Sequence, residues 1–114
     1  SVIPTGYILI DGGNYSGVAQ KSNTKPISQS SIEQIVNTAI TAEYLGKKLI
    51  YLEAGSGAKQ SVNVNIIQQV ANQVDLPIIV GGGIKTKKQI NDAYEAGANV
   101  VVVGTAFENQ NLKL

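Results

Sequence analysis

The 114-residue sequence predicts an α/β protein built on a parallel sheet. Three observations lead there. Apolar, strand-like runs alternate with amphipathic, helix-like stretches in the order β-α-β-α-β-α-β. The runs are near-continuously apolar, as in strands of parallel sheets covered on both faces. Each run is followed at once by carboxylates, glycines or hydroxyls: Asp11 to Gly13, Glu53 to Gly57, Gly81 to Gly83, and Gly104 with Thr105. In parallel α/β folds the ends of the strands are the functional edge.

The first strand is expected over Gly6 to Ile10, ending at Asp11, Gly12 and Gly13. Asn14 to Ser28 is polar and irregular, with Pro26 near its end, and is either a lid-like binding loop or a disordered stretch. Ser30 with Glu33 forms the pattern of a capping box. A helix is expected to follow, with Ile32, Ile35, Val36, Ala39, Ile40 and Leu45 on one stripe and Gly46 as its stop. Leu49 to Glu53 is the second strand, and Ala54 to Ala58 a loop of small residues. The second helix runs from Asn63 or Asn65 to Val74, with Ile66, Ile67, Val70, Ala71 and Val74 inward.

The third strand, from Ile78, runs into Gly81, Gly82 and Gly83. Thr86 and Gln89 make a second capping box, opening a helix to Ala96 with Ile90, Ala93 and Tyr94 on its buried face and Gly97 as its stop. Val100 to Val103 is the fourth strand, and Phe107 to Leu114 could begin a further helix.

Composition removes several function classes. A formal net charge of +1 offers nucleic acid no basic patch. Histidine and cysteine are both absent, which excludes Ser-His and Cys-His nucleophile pairs, disulfides and an ordinary zinc site. No apolar run approaches the roughly 18 residues needed to span a bilayer. No leader pattern of basic and then apolar residues opens the sequence, and a cytoplasmic location is expected. All nine basic residues are lysines, so a bound phosphate would rest on backbone amides, hydroxyls or lysine.

The glycine exits suit that task. Glycine lets backbone N–H groups approach a ligand without a Cβ in the way, and the following helix N-terminus is expected to add free N–H groups and partial positive charge. Tight strand–helix packing is the competing explanation for the glycines. Lys85 is expected to be a solvated helix-start lysine, and Asp11 a turn residue or one that orders its loop. Two successive strand–glycine exits match the phosphate site after strands 7 and 8 of a (β/α)₈ barrel. Four βα units are half of such a barrel, whose usual length is ~250 residues. An incomplete barrel, a pair of copies and a small open doubly wound sheet all remain compatible with the pattern.

Tyr51-Leu52-Glu53-Ala54-Gly55-Ser56-Gly57-Ala58 carries a more specific signal. Taken with Ile3 to Gly13, Val80 to Ile84 and Val103 to Ala106, it resembles the geranylgeranylglyceryl phosphate synthase family and its bacterial heptaprenylglyceryl phosphate relatives. The likeness runs in order over essentially the whole chain. It implies a TIM barrel that transfers a geranylgeranyl or other long prenyl group from its diphosphate to the C3 hydroxyl of sn-glycerol 1-phosphate, in ether-lipid biosynthesis. Residues 1–114 would form the C-terminal half of a single phosphate-binding domain.

By that resemblance Tyr51, Leu52, Glu53, Ala54, Gly55, Ser56 and Gly57 would hold the glycerol phosphate. Gly82, Gly83, Gly104 and Thr105 would complete the phosphate cradle, and Glu53 would be the catalytic base. Mg²⁺ is expected on the prenyl diphosphate, with its ligands in the N-terminal half of the family's barrel and none in this chain. A homo-oligomer and transient membrane contact for the lipid product are also expected. Two other functions compete: a half-barrel that binds phosphate without catalysis, and a phosphate-binding isomerase or synthase barrel of histidine or tryptophan biosynthesis.

Overall fold

The computed structural model describes residues 3–13, 26–55 and 57–103. Their elements run β1 (Thr5–Leu9), α1 (Ile32–Tyr44), β2 (Leu49–Glu53), α2 (Val64–Gln73), β3 (Ile78–Gly81), α3 (Lys87–Ala96) and β4 (Val100–Val102). The sheet is entirely parallel and its strands lie in the order of the sequence. Among the described residues that order never reverses, so they contain no switch point and their helices share one face. Helix α1 packs on β1 and β2, α2 lies between α1 and α3, and α3 packs on β4. A doubly wound sheet would reverse its order and cover both faces; a singly wound one curls toward a barrel.

The period of two along each strand decides what is covered. Ile8, Ile50, Leu52, Ile78 and Val80 turn toward the helices and join Ile35, Ala39, Ile66, Ile67, Val70 and Ala93 in the core. Each of these isoleucines, leucines and valines contributes about 1.5–3 kcal/mol by leaving water. Their neighbours face the other way. The strand register aligns Tyr7, Tyr51, Ile79 and Val100 in one row, and Leu9, Glu53, Gly81 and Val102 in the next. Among the described residues nothing covers this second face: Tyr7 is 60% exposed, Val100 47% and Val102 41%. The apolar runs predicted burial on both faces, and the described residues bury one.

Local signals succeed where the backbone alone decides. Asn63 caps α2 by accepting the Asn65 N–H at 2.7 Å. Thr86 and Gln89 form the full reciprocal box on α3, and Gly97 closes it. The Ser30–Glu33 box does not form. Helix α1 starts one residue later, at N-cap Ser31 without a side-chain cap, because the Ser30 hydroxyl pairs with that of Ser28 at 2.9 Å.

The α1 stripe is also narrower than expected. Ile35, Ala39 and Ala42 are buried, whereas Ile40 is 37% and Leu45 70% exposed. Leu45 lies past the last helical turn, as the C-cap. On α3, Ala93 faces inward and Tyr94 is 46% exposed, which corrects the placement of Tyr94 in the core. Ile10 lies beyond β1 and makes a parallel bridge to Ile27. The end of the polar stretch before α1 is therefore tied to the sheet.

Candidate functional site

Glu53 ends β2 on the uncovered face, where period two carries it to the same side as Tyr51. Its Oε2 accepts the Gly55 N–H at 2.9 Å, so the carboxylate folds over the start of its own loop. The Tyr7 and Tyr51 rings, opposite one another in register, lie 5.2 Å apart between centroids and 31° from parallel. Both phenols titrate above the ordinary tyrosine value. For Tyr7 the main cause is burial, followed by the Glu53 charge. For Tyr51 burial again leads, followed by the charge of Glu53, a hydrogen bond to it, and Tyr7. The two phenols and one carboxylate form a polar cluster on the uncovered face toward the C-terminal end of the sheet.

Leu52 and Ala54 alternate to the other side. Leu52 is completely buried in the core and Ala54 is 3% exposed. Leu52 therefore presents only its backbone to the loop side, and the Ala54 N–H donates to the Gly81 carbonyl at 2.9 Å.

The glycines show two distinct uses. Gly82 and Gly83 have φ of +91° and +75°, a region open to glycine at little cost. They also press against the neighbouring loop. A β-carbon on Gly82 would lie 2.7 Å from the Gly55 nitrogen, and one on Gly83 would lie 2.8 Å from the Ser61 nitrogen. Their missing side chains thus make room for the neighbouring loop's backbone. The Gly82 and Gly83 N–H groups donate to no described residue, which leaves amides to offer an anion. Gly57, at φ +73°, continues the loop after β2.

The N-terminus of α3 is different from the expectation. The N–H groups of Lys85 and Thr86 both donate to Gln89 Oε1, at 2.6 and 3.0 Å, and the Gln89 N–H donates to Thr86 Oγ1 at 3.1 Å. The capping box consumes amides that a phosphate would have used. Lys85 itself is exposed. Ser56, Gly104 and Thr105 lie outside the described residues.

Two holders of the site loop escaped sequence reasoning. The Gly12 carbonyl accepts the N–H groups of Lys59 and Gln60 at 2.9 and 3.0 Å, and a β-carbon on Gly12 would overlap the Ala54 carbonyl. Gln29 donates to the carbonyls of Asp11 and Ser61 at 3.0 and 3.1 Å and accepts the Asn63 N–H at 2.7 Å. One carboxamide therefore ties three segments together. Nothing in the sequence marks Gln29, since a glutamine in a polar stretch has no local signature. Asp11 accepts the Gly13 N–H at 2.8 Å, a turn contact.

Among the described residues no three acidic, histidine or cysteine side chains gather where a metal ion could bind. No helix among the described residues is long and apolar enough to cross a membrane.

Consecutive parallel βα units, with a tyrosine–carboxylate cluster and glycine loops at the strand ends, define a segment of a (β/α)₈ barrel, and the candidate site lies on the edge such barrels use. The chain belongs to the PcrB family, whose model matches residues 1–114. The geranylgeranylglyceryl phosphate synthase of Zunongwangia profunda is 55% identical over 112 residues, 98% of this chain and 48% of that protein. That of Flavobacterium johnsoniae is 52% identical over 110 residues, 96% of this chain and 45% of that protein. Among solved structures, (S)-3-O-geranylgeranylglyceryl phosphate synthase from Thermoplasma acidophilum, in complex with substrate sn-glycerol-1-phosphate, superposes with a TM-score of 0.83 at 35% identity. The match covers 93% of this chain and 42% of that one. The chain spans about half the length of the curated relatives it matches.

Proposed function

We propose that residues 1–114 form the C-terminal, acceptor-binding half of a prenyltransferase barrel. The reaction moves a geranylgeranyl or similar prenyl group from its diphosphate to the C3 hydroxyl of sn-glycerol 1-phosphate. The observation that carries this is the Glu53 carboxylate at a strand end, beside the Tyr51 hydroxyl over Gly81 and accepting the Gly55 amide, in a chain 55% identical to a synthase of that name.

Glu53 is the catalytic residue in this scheme. Its carboxylate accepts the proton of the glycerol hydroxyl as the new C–O bond forms at the allylic carbon and diphosphate departs. Its negative charge also favours the cation-like character of that carbon. Tyr51 orients Glu53 and hydrogen-bonds the glycerol. Gly55, Ser56 and Gly57 line the acceptor, and the backbone of Leu52 and Ala54 holds that loop in place. Gly82 and Gly83, with Gly104 and Thr105, supply amides and a hydroxyl to the phosphate. Mg²⁺ belongs with the prenyl diphosphate, on donors other than the described residues. Assembly as a homo-oligomer, a cytoplasmic location and transient contact with a membrane for product release accompany this function.

Isothermal titration of the purified protein with sn-glycerol 1-phosphate and with its sn-3 enantiomer tests the proposal. Preference for the sn-1 form is expected. Equal affinity for both would reduce the site to a general phosphate cradle, and a folded protein that binds neither would overturn the assignment.

A further inference from the structure

The expected cradle begins at Gly82, yet the residue before it lies against the reactive groups. Gly81 ends β3 directly opposite Glu53 in the parallel register, with Tyr51 two residues back along β2 on the same face. Its backbone is not in the left-handed region, unlike that of Gly82 and Gly83, so conformation does not demand glycine. Space does. A β-carbon on Gly81 would lie 3.0 Å from the Tyr51 hydroxyl oxygen, 3.2 Å from Glu53 Oε1 and 3.4 Å from Tyr51 Cε1. Every one of these atoms belongs to a side chain of the candidate site. The Gly81 carbonyl accepts the Ala54 N–H at 2.9 Å, so its own backbone is pinned and the side chains would have to yield.

We infer that Gly81 is a positioning residue: its missing β-carbon lets the Tyr51 hydroxyl and the Glu53 carboxylate sit side by side above β3. A methyl group there pushes the two apart without touching any ligand itself. This contrasts with Gly82, where the close atoms are backbone and any side chain disturbs the fold. The chemical purpose of the pair rests on the function proposed above; the geometry does not.

The coupling between Tyr51 and Glu53 measures the effect, in a double-mutant cycle. NMR titration of ring-¹³C tyrosine follows the Tyr51 phenol, identified by loss of its signal in Tyr51→Phe. Glu53→Gln removes the carboxylate charge and should lower the Tyr51 midpoint in the otherwise unchanged protein. In the Gly81→Ala background the same replacement should lower it by less than half as much. Equal shifts in both backgrounds would overturn the inference, as would the absence of any shift in the first. Thermal unfolding adds a separate check: Gly81→Ala should fold, since only side chains lie in its way, and failure to fold would also defeat the proposal. Titration with sn-glycerol 1-phosphate should then show roughly tenfold weaker binding in Gly81→Ala, the size of a lost charged hydrogen bond. If the unmodified protein binds no sn-glycerol 1-phosphate, the proposed function fails while the tyrosine cycle still decides Gly81.

Discussion

Gly82 and Gly55, one in the exit loop of β3 and the other in that of β2, touch backbone to backbone. A β-carbon on Gly82 would stand 2.7 Å from the Gly55 nitrogen and 2.8 Å from its oxygen. The two strand exits are thus one packed unit, and Gly55 in turn holds the Glu53 carboxylate through its N–H at 2.9 Å.

Gly82→Ala should therefore damage stability and site together. The left-handed φ of +91° costs an alanine about 1–2 kcal/mol, and the overlap with Gly55 adds to this. A fall in melting temperature of roughly 10 °C is expected for a domain this small, read by circular dichroism. A fall below about 2 °C would mean that the loops separate at little cost.

Glu53→Gln should leave the fold intact and abolish prenyl transfer in the assembled enzyme. The amide keeps the shape of the side chain and loses the charge and the basicity. A loss of at least about 10²-fold in turnover is expected for a general base. Turnover within twofold of the unmodified enzyme would remove Glu53 from that role.

The raised titration of Tyr7 and Tyr51 has a consequence at high pH. Each phenol ionises later in the folded chain than in the unfolded one. Their contribution to stability is fully present below the unfolded value, near 10.0, and is lost as pH rises through the folded values. Melting temperature should decline from about pH 10 upward, and less steeply in Glu53→Gln, where one cause of both shifts is gone. Identical slopes in the two proteins would show that Glu53 does not act on the phenols.

Gln29→Leu removes three hydrogen bonds at once and strands two carbonyls and one N–H. A loss of about 1–3 kcal/mol is expected, measured by denaturant titration. Acceptor binding should weaken as well, because the loop carrying Ser61 leans on Gly83. Unchanged stability would mean that water replaces the carboxamide freely.

Thr86→Ala separates capping from anion binding. It should cost about 1 kcal/mol of stability through the lost cap, with affinity for sn-glycerol 1-phosphate held within about twofold (0.4 kcal/mol). A larger loss of affinity would return the α3 N-terminus to the phosphate site.

Much of the fold was legible in the sequence. The bounds of β2, the inward face of α2 and the Asn63 and Thr86 caps follow from local periodicity and from hydrogen bonds spanning two or three residues. The position of Glu53 at a strand end was legible for the same reason. The α1 start was not, because Ser28 and Ser31 compete with Ser30 within one turn. Nor was the exposure of Tyr94 and Ile40, since amphipathic spacing indicates a stripe without fixing which of its edges meets a neighbour.

The sequence by itself determined the alternation of strands and helices and the clustering of glycines and carboxylates at strand exits, because those depend on neighbours along the chain. Only the tertiary structure decided what the glycines are for. Gly82 and Gly83 admit a neighbouring loop, Gly12 receives another, and Gly81 makes room for Tyr51 and Glu53. It also decided that Leu52 faces the core while Tyr51 stacks on Tyr7. These relations join residues tens of positions apart, and they exist only once strand register brings β1, β2 and β3 side by side at hydrogen-bonding distance.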